Sequence, residues 1–152
     1  MNLLTKVRKA GIGDMESILD LVKELAVYEK APEAVTATLQ DYEKNFLEGV
    51  FDALVAEDHN GQITGTTIYY LSWSTWKGRM LYLEDFVVKS SERGKGIGKI
   101  LFDALTQEAI NLDCRQMKWQ VLEWNEPAIN FYKKYNAILE QEWWNGKMIL
   151  KG

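Results

Sequence analysis

The spacing of apolar residues changes from a helical to a strand period near residue 51. Before that point, apolar residues recur at intervals of three and four between residues 14 and 30, which predicts a first helix. Thr38-x-x-Asp41 is a capping-box pattern and predicts a second helix that ends near residue 49. After Phe51 the pattern predicts strands over residues 51–58, 62–74 and 80–88, with Asn60-Gly61 as a hairpin turn.

Further elements flank this central meander. A strand is predicted over residues 5–9, a helix over 97–112, a strand over 116–123, a helix over 125–135 and a closing hairpin from residue 138. Strands 80–88 and 116–123 are expected to be parallel and joined by a right-handed helical crossover. The order predicts one α/β domain over residues 1–152, an α+β sandwich whose mixed central sheet has helices on both faces.

A glycine-rich turn joins the third strand of the meander to the helix that follows it. Such a turn presents unpaired backbone N–H groups and the positive end of a helix dipole to one point, which suits a phosphate. Its spacing matches neither the dinucleotide fingerprint nor the Walker loop, and a merely tight connection is the alternative. The candidate phosphate-binding residues are Arg93, Gly94, Lys95, Gly96, Ile97, Gly98 and Lys99.

Composition narrows the class of partner. The 152 residues are 47% hydrophobic and carry a net charge of −4, which disfavours nucleic acid and anionic membranes and favours a small cationic molecule. The only cysteine is Cys114, and no apolar run approaches the roughly 20 residues of a membrane helix. We expect a cytoplasmic protein with no metal site.

Four segments resemble one branch of a known superfamily. They are Leu25–Glu29, Tyr82–Phe86, Arg93–Gly98 and Glu123–Lys133, and in this order they resemble the spermidine/spermine, or diamine, branch of the GNAT N-acetyltransferases. The resemblance implies an enzyme that moves an acetyl group from acetyl-CoA directly to a primary amine of a polyamine or diamine. A lysine-like acceptor such as thialysine is the alternative within the enzyme class, and a non-catalytic acyl-CoA-binding module is the alternative outside it.

Two residues are expected to carry the proton transfers. An alkylammonium has a pKa of ~10.4, so a nearby carboxylate both binds the cation and accepts its proton. The resemblance assigns this base to Glu84; strand alternation places Asp85 on the other face, and a solvated acid pair is the alternative. The resemblance makes Tyr132 the acid for the departing thiolate, because its pKa of ~10 exceeds a thiol's ~8.5. Packing of the helix against the sheet is the alternative role.

Two further parts of the chain are expected to contact the acetyl donor. Backbone N–H groups of Phe86, Val87 and Val88 would stabilise the developing oxyanion, provided that the strand is bulged there. The resemblance implies that this strand splays from the 116–123 strand and that pantetheine enters between them. It also implies a contact of Asn125 with the pantetheine or pyrophosphate arm, and capping of a helix is the alternative role of Asn125. Lys133 is expected at the adenosine phosphates, with a solvated helix end as the alternative.

The acceptor side and the quaternary structure are also expected from the resemblance. Tyr28, Glu29 and Trp76 match acceptor-contacting positions, and Glu84 and Asp85 complete the substrate set. A homodimer is expected from the family habit and from the adjacent pair Trp143-Trp144, because exposed aromatic residues anchor interfaces.

Overall fold

One mixed sheet organises the chain. The computed structural model describes residues 4–151. Its strands are β1 (Lys6–Lys9), β2 (Asp52–Glu57), β3 (Ile63–Ser74), β4 (Gly78–Val88) and β5 (Gln116–Lys118), in the spatial order β1-β2-β3-β4-β5. The first four are antiparallel neighbours, whereas β4 and β5 are parallel, so the predicted mixed sheet is confirmed.

Four helices accompany the sheet. They are α1 (Met15–Tyr28), α2 (Leu39–Leu47), α3 (Ile97–Asn111) and α4 (Glu126–Lys133). The predicted capping box of α2 is confirmed, because Thr38 Oγ1 accepts from Asp41 N at 3.1 Å and the Asp41 carboxylate accepts from Thr38 N at 2.8 Å. α3 is the crossover between the parallel strands β4 and β5, as predicted.

The core lies on both faces of the sheet. On one face, Met15 and Ile18 of α1 pack with Val55 and Ile68 of the central strands. On the other face α3 approaches so closely that a Cβ at Gly65 would stand 2.8 Å from the Leu101 side chain. Successive strand residues alternate between faces, so the helices cover both sides of the sheet, as expected.

The chain divides into two compact units, residues 1–119 and 120–152. The described part of the second unit, residues 120–151, contains α4 and no strand. The closing hairpin predicted from residue 138 is therefore wrong, and Trp143 and Trp144 are both exposed. A two-stranded hairpin is marginal unless a further strand or helix covers it. The single-domain organisation stays a prediction.

The strand predicted over 116–123 is also shorter than expected. β5 ends at Lys118, whose partner on β4 is Tyr82. Two residues further along β4, the ladder to β3 is interrupted at Glu84. Such an interruption increases strand twist, which ends regular pairing.

Candidate active site

An extra residue interrupts β4 at Glu84. Ile68 of β3 is paired with Asp85, whereas the next residue, Tyr69, is paired with Leu83, so Glu84 has no partner on β3. This is a β-bulge. Glu84 and Asp85 line the same cavity. The prediction that alternation sends Asp85 to the opposite face is therefore wrong, because alternation fails at the extra residue.

The cavity beside the bulge has an acidic and an apolar wall. Its volume is about 230 Å³, below the 300–1,000 Å³ typical of sites for drug-sized ligands, so it suits a small molecule. α2 and the chain leading into β2 supply aromatic side chains, which pack on one another with ring centroids 5.9 Å apart. The lining residues of this β4 cavity are Tyr42, Val50, Phe51, Ile68, Tyr70, Glu84 and Asp85.

A tyrosine hydroxyl fixes one oxygen of the bulge carboxylate. The Tyr70 hydroxyl donates to Glu84 Oε1 at 3.0 Å. The Tyr70 ring is stacked on that of its cross-strand partner Tyr82, with centroids 5.4 Å apart and an interplanar angle of 23°. Burial, and then the hydrogen bond and charge of Glu84, raise the pKa of Tyr70 to about 12, so its hydroxyl is a donor at neutral pH.

Three carboxylates share one region of negative potential. Burial is the largest cause that raises the pKa of Asp85 to about 7, and the charges of Glu84 and Glu29 add to it. Burial also raises the pKa of Glu29, the residue after α1. Within residues 4–151, no lysine or arginine forms an ion pair with any of the three. The region is thus suited to an external cation.

The glycine loop, Arg93–Gly98, has the backbone that its sequence predicts. Gly94 and Gly96 adopt φ values of 79° and 80°, a conformation that side chains disfavour. A Cβ at either position would meet no atom within 4 Å, so space lies open above the loop. Gly96 precedes the first residue of α3, and no side chain caps that terminus. Backbone donors are therefore left for an anion.

The basic residues around this loop have partners within the protein. Lys95 pairs with Glu92 at 2.5 Å and Lys99 with Asp103 at 2.6 Å. The Arg93 guanidinium lies over the Tyr28 ring, 5.1 Å from its centroid. These side chains are exposed or half-buried, so a phosphate competes only with weak surface contacts.

The end of α1 connects the loop with the acidic region. Glu24 Oε1 accepts a hydrogen bond from Ser90 N at 2.6 Å, in the turn that leads to the glycine loop. Tyr28 contacts Arg93, and the neighbouring Glu29 is close enough to influence Asp85 electrostatically. The charges of Glu29 and Glu84 both act on Asp85, and Tyr28 directly precedes Glu29. The role of these four residues in acceptor binding stays a prediction.

Beyond Tyr82, β4 has one unpaired edge. β5 pairs only with Met80–Tyr82, whereas Phe86, Val87 and Val88 pair with Thr67, Thr66 and Gly65 of β3 on the other edge. The bulge expected at 86–88 lies at Glu84 instead. Along a strand paired on one side, alternate N–H groups point away from the ladder, so residues 86–88 direct N–H groups away from β3 without a bulge there.

In the second unit, three predicted residues lie on or before α4. The Asn125 side chain accepts from Ala128 N at 3.4 Å and caps the helix. Tyr132 is buried and contacts Phe131 edge-on, with ring centroids 5.6 Å apart. Lys133, the last residue of α4, is exposed. Helix geometry thus gives Asn125 a structural role whatever else it binds.

Trp76 does not lie with the other predicted acceptor residues. It occupies the tip of the β3–β4 hairpin with 85% of its surface exposed. The six residue-to-residue steps from Gly78 to Glu84 span ~20 Å along a strand. Trp76 therefore lies far from the bulge along the hairpin, and its contact with the acceptor stays a prediction.

Sequence reasoning missed the apolar half of the β4 cavity and Tyr70. The sequence predicts only a helix around Tyr42 and a strand beginning at Phe51. The contact between these two side chains depends on how α2 packs, which the sequence pattern does not show. A signal for the bulge was present, since Leu83 and Phe86 are three residues apart. Tyr69, the partner of Leu83, bonds Glu108 of α3, and Phe86 stacks on Phe102 of α3. Leu83 and Phe86 therefore both face α3. In a regular strand, residues three positions apart face opposite sides, so an extra residue must lie between them.

Residues 4–151 contain neither a group of metal ligands nor a membrane-spanning helix. Within residues 4–151, no three His, Cys, Asp or Glu side chains are grouped so as to hold a metal ion. In the same part of the chain, no helix is long and apolar enough to cross a membrane.

Comparison with known proteins identifies the family. Residues 15–137 match the acetyltransferase (GNAT) family. The chain belongs to the GNAT family. It is an N-acetyltransferase that acts on amines, and the resemblance seen in its sequence is confirmed. GNAT acetyltransferases use acetyl-CoA as the acetyl donor.

Its relatives act on small amines. A thialysine N-epsilon-acetyltransferase of Bos taurus is 38% identical over 150 residues, covering 91% of this chain and 88% of that protein. The spermidine/spermine N(1)-acetyltransferase-like protein 1 of Homo sapiens is 36% identical over 141 residues, covering 88% of this chain and 20% of that protein. An aminoglycoside acetyltransferase from an uncultured soil metagenomic sample shares the fold, with a TM-score of 0.80, 19% identity and 97% of each chain covered.

Proposed function

We propose that this chain transfers the acetyl group of acetyl-CoA to a primary amine of a polyamine or diamine, without a covalent acetyl-enzyme. One observation carries the proposal. Glu84 and Asp85 line a small cavity, the charge of Glu29 acts on Asp85, and no lysine or arginine of residues 4–151 forms an ion pair with any of the three. The apolar wall formed by Val50 and Phe51 suits the methylene chain of such an amine.

The acidic residues would prepare the acceptor nitrogen. At neutral pH fewer than about one alkylamine in a thousand is neutral, so the ammonium must lose a proton before it attacks. Glu84 accepts this proton, directly or through water, while Asp85 and Glu29 hold the cation. The freed nitrogen then forms a bond to the thioester carbonyl carbon and gives up its second proton to water, and the carbon–sulfur bond breaks to release the thiolate.

The donor would be held by the loop and the open strand edge. Gly94, Gly96 and Gly98 allow the pyrophosphate to approach the N–H groups that begin α3, and Arg93, Lys95 and Lys99 add positive charge. N–H groups of Phe86–Val88 at the unpaired edge of β4 would stabilise the oxyanion. Asn125 and Lys133 would contact the pantetheine and adenosine ends; this assignment rests on their sequence segment.

Tyr132 would return a proton to the departing sulfur. A buried phenol remains protonated at neutral pH and is therefore a competent donor to a thiolate. Tyr132→Phe keeps the ring and should lower kcat about 10²–10⁴-fold with little change in acetyl-CoA affinity. Unchanged kcat, with chemistry rate-limiting, would assign the acid elsewhere. Cys114 is unsuited to covalent catalysis, because burial raises the pKa of its thiol.

Release of free CoA thiol tests the acceptor class. Purified protein is mixed with acetyl-CoA and, separately, with spermidine, putrescine, thialysine or lysine. We expect the highest kcat/KM for a diamine or polyamine, because a second ammonium reaches Glu29 while the carboxylate of a lysine-like amine is repelled. Higher kcat/KM for thialysine than for every polyamine would reject this acceptor class. No release with any amine would reject the function itself.

Thialysine is the second candidate acceptor. It is favoured by the 38% identity to the Bos taurus thialysine N-epsilon-acetyltransferase. The same panel of amines separates the two candidates.

Donor binding is tested at the glycine loop. Gly96→Val places a side chain in the open space above the loop and should weaken CoA binding at least tenfold by calorimetry. Because φ at Gly96 is +80°, the variant is also strained; Gly61→Val, at the same φ in the β2–β3 turn, is the matched control. Equal CoA affinity of the two folded variants would remove the loop from the donor site.

We also propose a homodimer and a cytoplasmic location. The second unit exposes Trp143, Trp144 and Ile149, and burial of such residues commonly drives association. Light scattering should give twice the monomer mass at micromolar concentration, and Trp144→Lys should lower it. A monomeric wild type would refute the dimer. One cysteine and the absence of disulfides in residues 4–151 agree with a reducing compartment.

A further inference from the structure

We propose that Tyr70 is a positioning residue for acetyl transfer: by holding Glu84 Oε1, it fixes the bulge carboxylate and leaves its second oxygen to accept the amine proton. The inference rests on the proposed function, because it concerns the same carboxylate.

The bulge explains why Glu84 requires such support. Glu84 has no partner on β3, and its side chain is exposed. A free glutamate side chain samples many rotamers, and a proton acceptor works only within hydrogen-bond reach of the acceptor nitrogen. The Tyr70 hydroxyl, 3.0 Å from Oε1, selects one carboxylate position.

Tyr70 is itself held rigidly. It lies directly opposite Tyr82 in the ladder, and the two rings stack at 5.4 Å. Cross-strand aromatic pairs of this kind stabilise a sheet locally, so the hydroxyl is presented from a fixed ring. Tyr70 and Tyr82 lie in the regularly paired part of the ladder that precedes the bulge. The Tyr70 hydroxyl can therefore keep the Glu84 carboxylate ordered although the strand is irregular at Glu84.

The neighbouring tyrosine shows that the contact is specific to this face. Tyr69 lies on the opposite face of β3, where its hydroxyl donates to Glu108 of α3 at 2.9 Å. Glu108 also pairs with Lys9 at 3.5 Å, whereas Glu84 pairs with no lysine or arginine of residues 4–151. The hydroxyl of Tyr70 is therefore the neutral group that orders an otherwise uncompensated carboxylate.

Tyr70 remains a donor throughout the working pH range. Burial is the main cause that raises its pKa to about 12, followed by the hydrogen bond and charge of Glu84. The other titratable groups around Glu84 are acidic or phenolic, so none supplies a competing cation. They are Tyr42 from α2, Tyr82 and Asp85 from β4, and Glu29 after α1.

The test compares two variants that each remove one hydroxyl from the stacked pair. Tyr70→Phe should lower kcat about tenfold with less than twofold change in the KM for acetyl-CoA, because the carboxylate loses its orientation and the ring remains. Tyr82→Phe removes the neighbouring hydroxyl and should keep kcat within twofold. Equal loss of kcat in the two variants would overturn the proposal.

A spectroscopic measurement makes the test independent of turnover. In protein labelled with ¹³C at glutamate carboxyl carbons, Glu84→Gln assigns the line of Glu84. Tyr70→Phe should shift this line, and Tyr82→Phe should leave it within its width. An unshifted line in Tyr70→Phe rejects the positioning role. If wild type acetylates no amine while the line shifts, the proposed function fails and the contact stands.

Discussion

Carboxylates gather at two places on the sheet, and only one group is neutralised. Near β1, Arg8 bonds both Asp14 at 2.8 Å and Glu57 at 2.9 Å, and Lys9 pairs with Asp52 at 2.8 Å. The hydrogen bond from Arg8 is the largest cause that lowers the pKa of Asp14. Each acid in this β1 group therefore has a permanent partner, and the charges serve the fold.

The carboxylates of the β4 group have no lysine or arginine partner within residues 4–151. Glu84, Asp85 and Glu29 form no ion pair within residues 4–151, and the pKa of Asp85 is raised instead of lowered. Repulsion and burial make this arrangement costly in the unliganded protein. The difference indicates that the β1 group is structural, and it supports the proposal that a cationic ligand completes the β4 group.

The largest expected difference between the two groups is catalytic. Glu84→Gln should lower kcat/KM about 10²–10⁴-fold for every amine, because the proton acceptor is lost. Glu57→Gln in the β1 group is the matched control and should keep kcat/KM within about twofold, since it weakens only a surface ion pair. Steady-state kinetics on the two variants checks this. Comparable losses would mean that β4 holds no special carboxylate.

Replacing aspartate by asparagine should change the free energy of unfolding with opposite signs in the two groups. Ionisation of Asp85 is opposed by the fold, since its pKa rises from 3.8 to about 7. Between about pH 4 and pH 7 the folded state retains a proton that the unfolded chain has lost, so stability falls as pH rises. Asp85→Asn removes this penalty and should raise the free energy of unfolding by about 1–3 kcal/mol at pH 8, with no gain at pH 4.

Asp14→Asn should behave in the reverse way. Because the folded-state pKa of Asp14 is lowered, its contribution is present above the unfolded pKa and is lost as pH falls through the folded value. The variant should lose about 1–2 kcal/mol at pH 7. Urea denaturation of both variants from pH 4 to pH 8 gives the measurement. Destabilisation by Asp85→Asn at pH 8 would contradict the contrast.

The smallest effect concerns acceptor choice. Glu29→Gln should raise the KM for spermidine or putrescine roughly tenfold, because a remote ammonium loses its carboxylate. For thialysine the rise in KM should stay below about threefold, since the carboxylate of thialysine is not attracted to Glu29. Equal changes in KM for diamines and thialysine would remove Glu29 from the discrimination between them.

Local chemistry made much of the fold predictable. The capping box at Thr38 and the glycine loop before α3 each depend on residues only a few positions apart, and both formed as the sequence predicts. The order of strands followed from the change of period after Phe51. What remained hidden depends on pairing between distant segments.

Three differences between expectation and structure illustrate this limit. The bulge at Glu84 becomes visible only when β4 is paired with β3, so Asp85 was predicted on the wrong face. The apolar run after residue 138 has a strand-like composition but no strand in residues 4–151 pairs with it. Trp76 was expected in the acceptor site from its place in the sequence, yet the length of the hairpin carries it to an exposed tip.

The bulge also separates the activity of this chain from its architecture. Leu83 is paired with Tyr69 and Asp85 with Ile68, and both pairs would persist in a ladder that lacked Glu84. Loss of the Glu84 codon would therefore yield a regular hairpin with its buried residues on their present faces, but without the carboxylate that we propose as the base and without the tyrosine contact. With Glu84 in that proposed role, a descendant with an intact GNAT fold and no turnover lies one mutational step away, because the deletion leaves the pairs on either side of it in place.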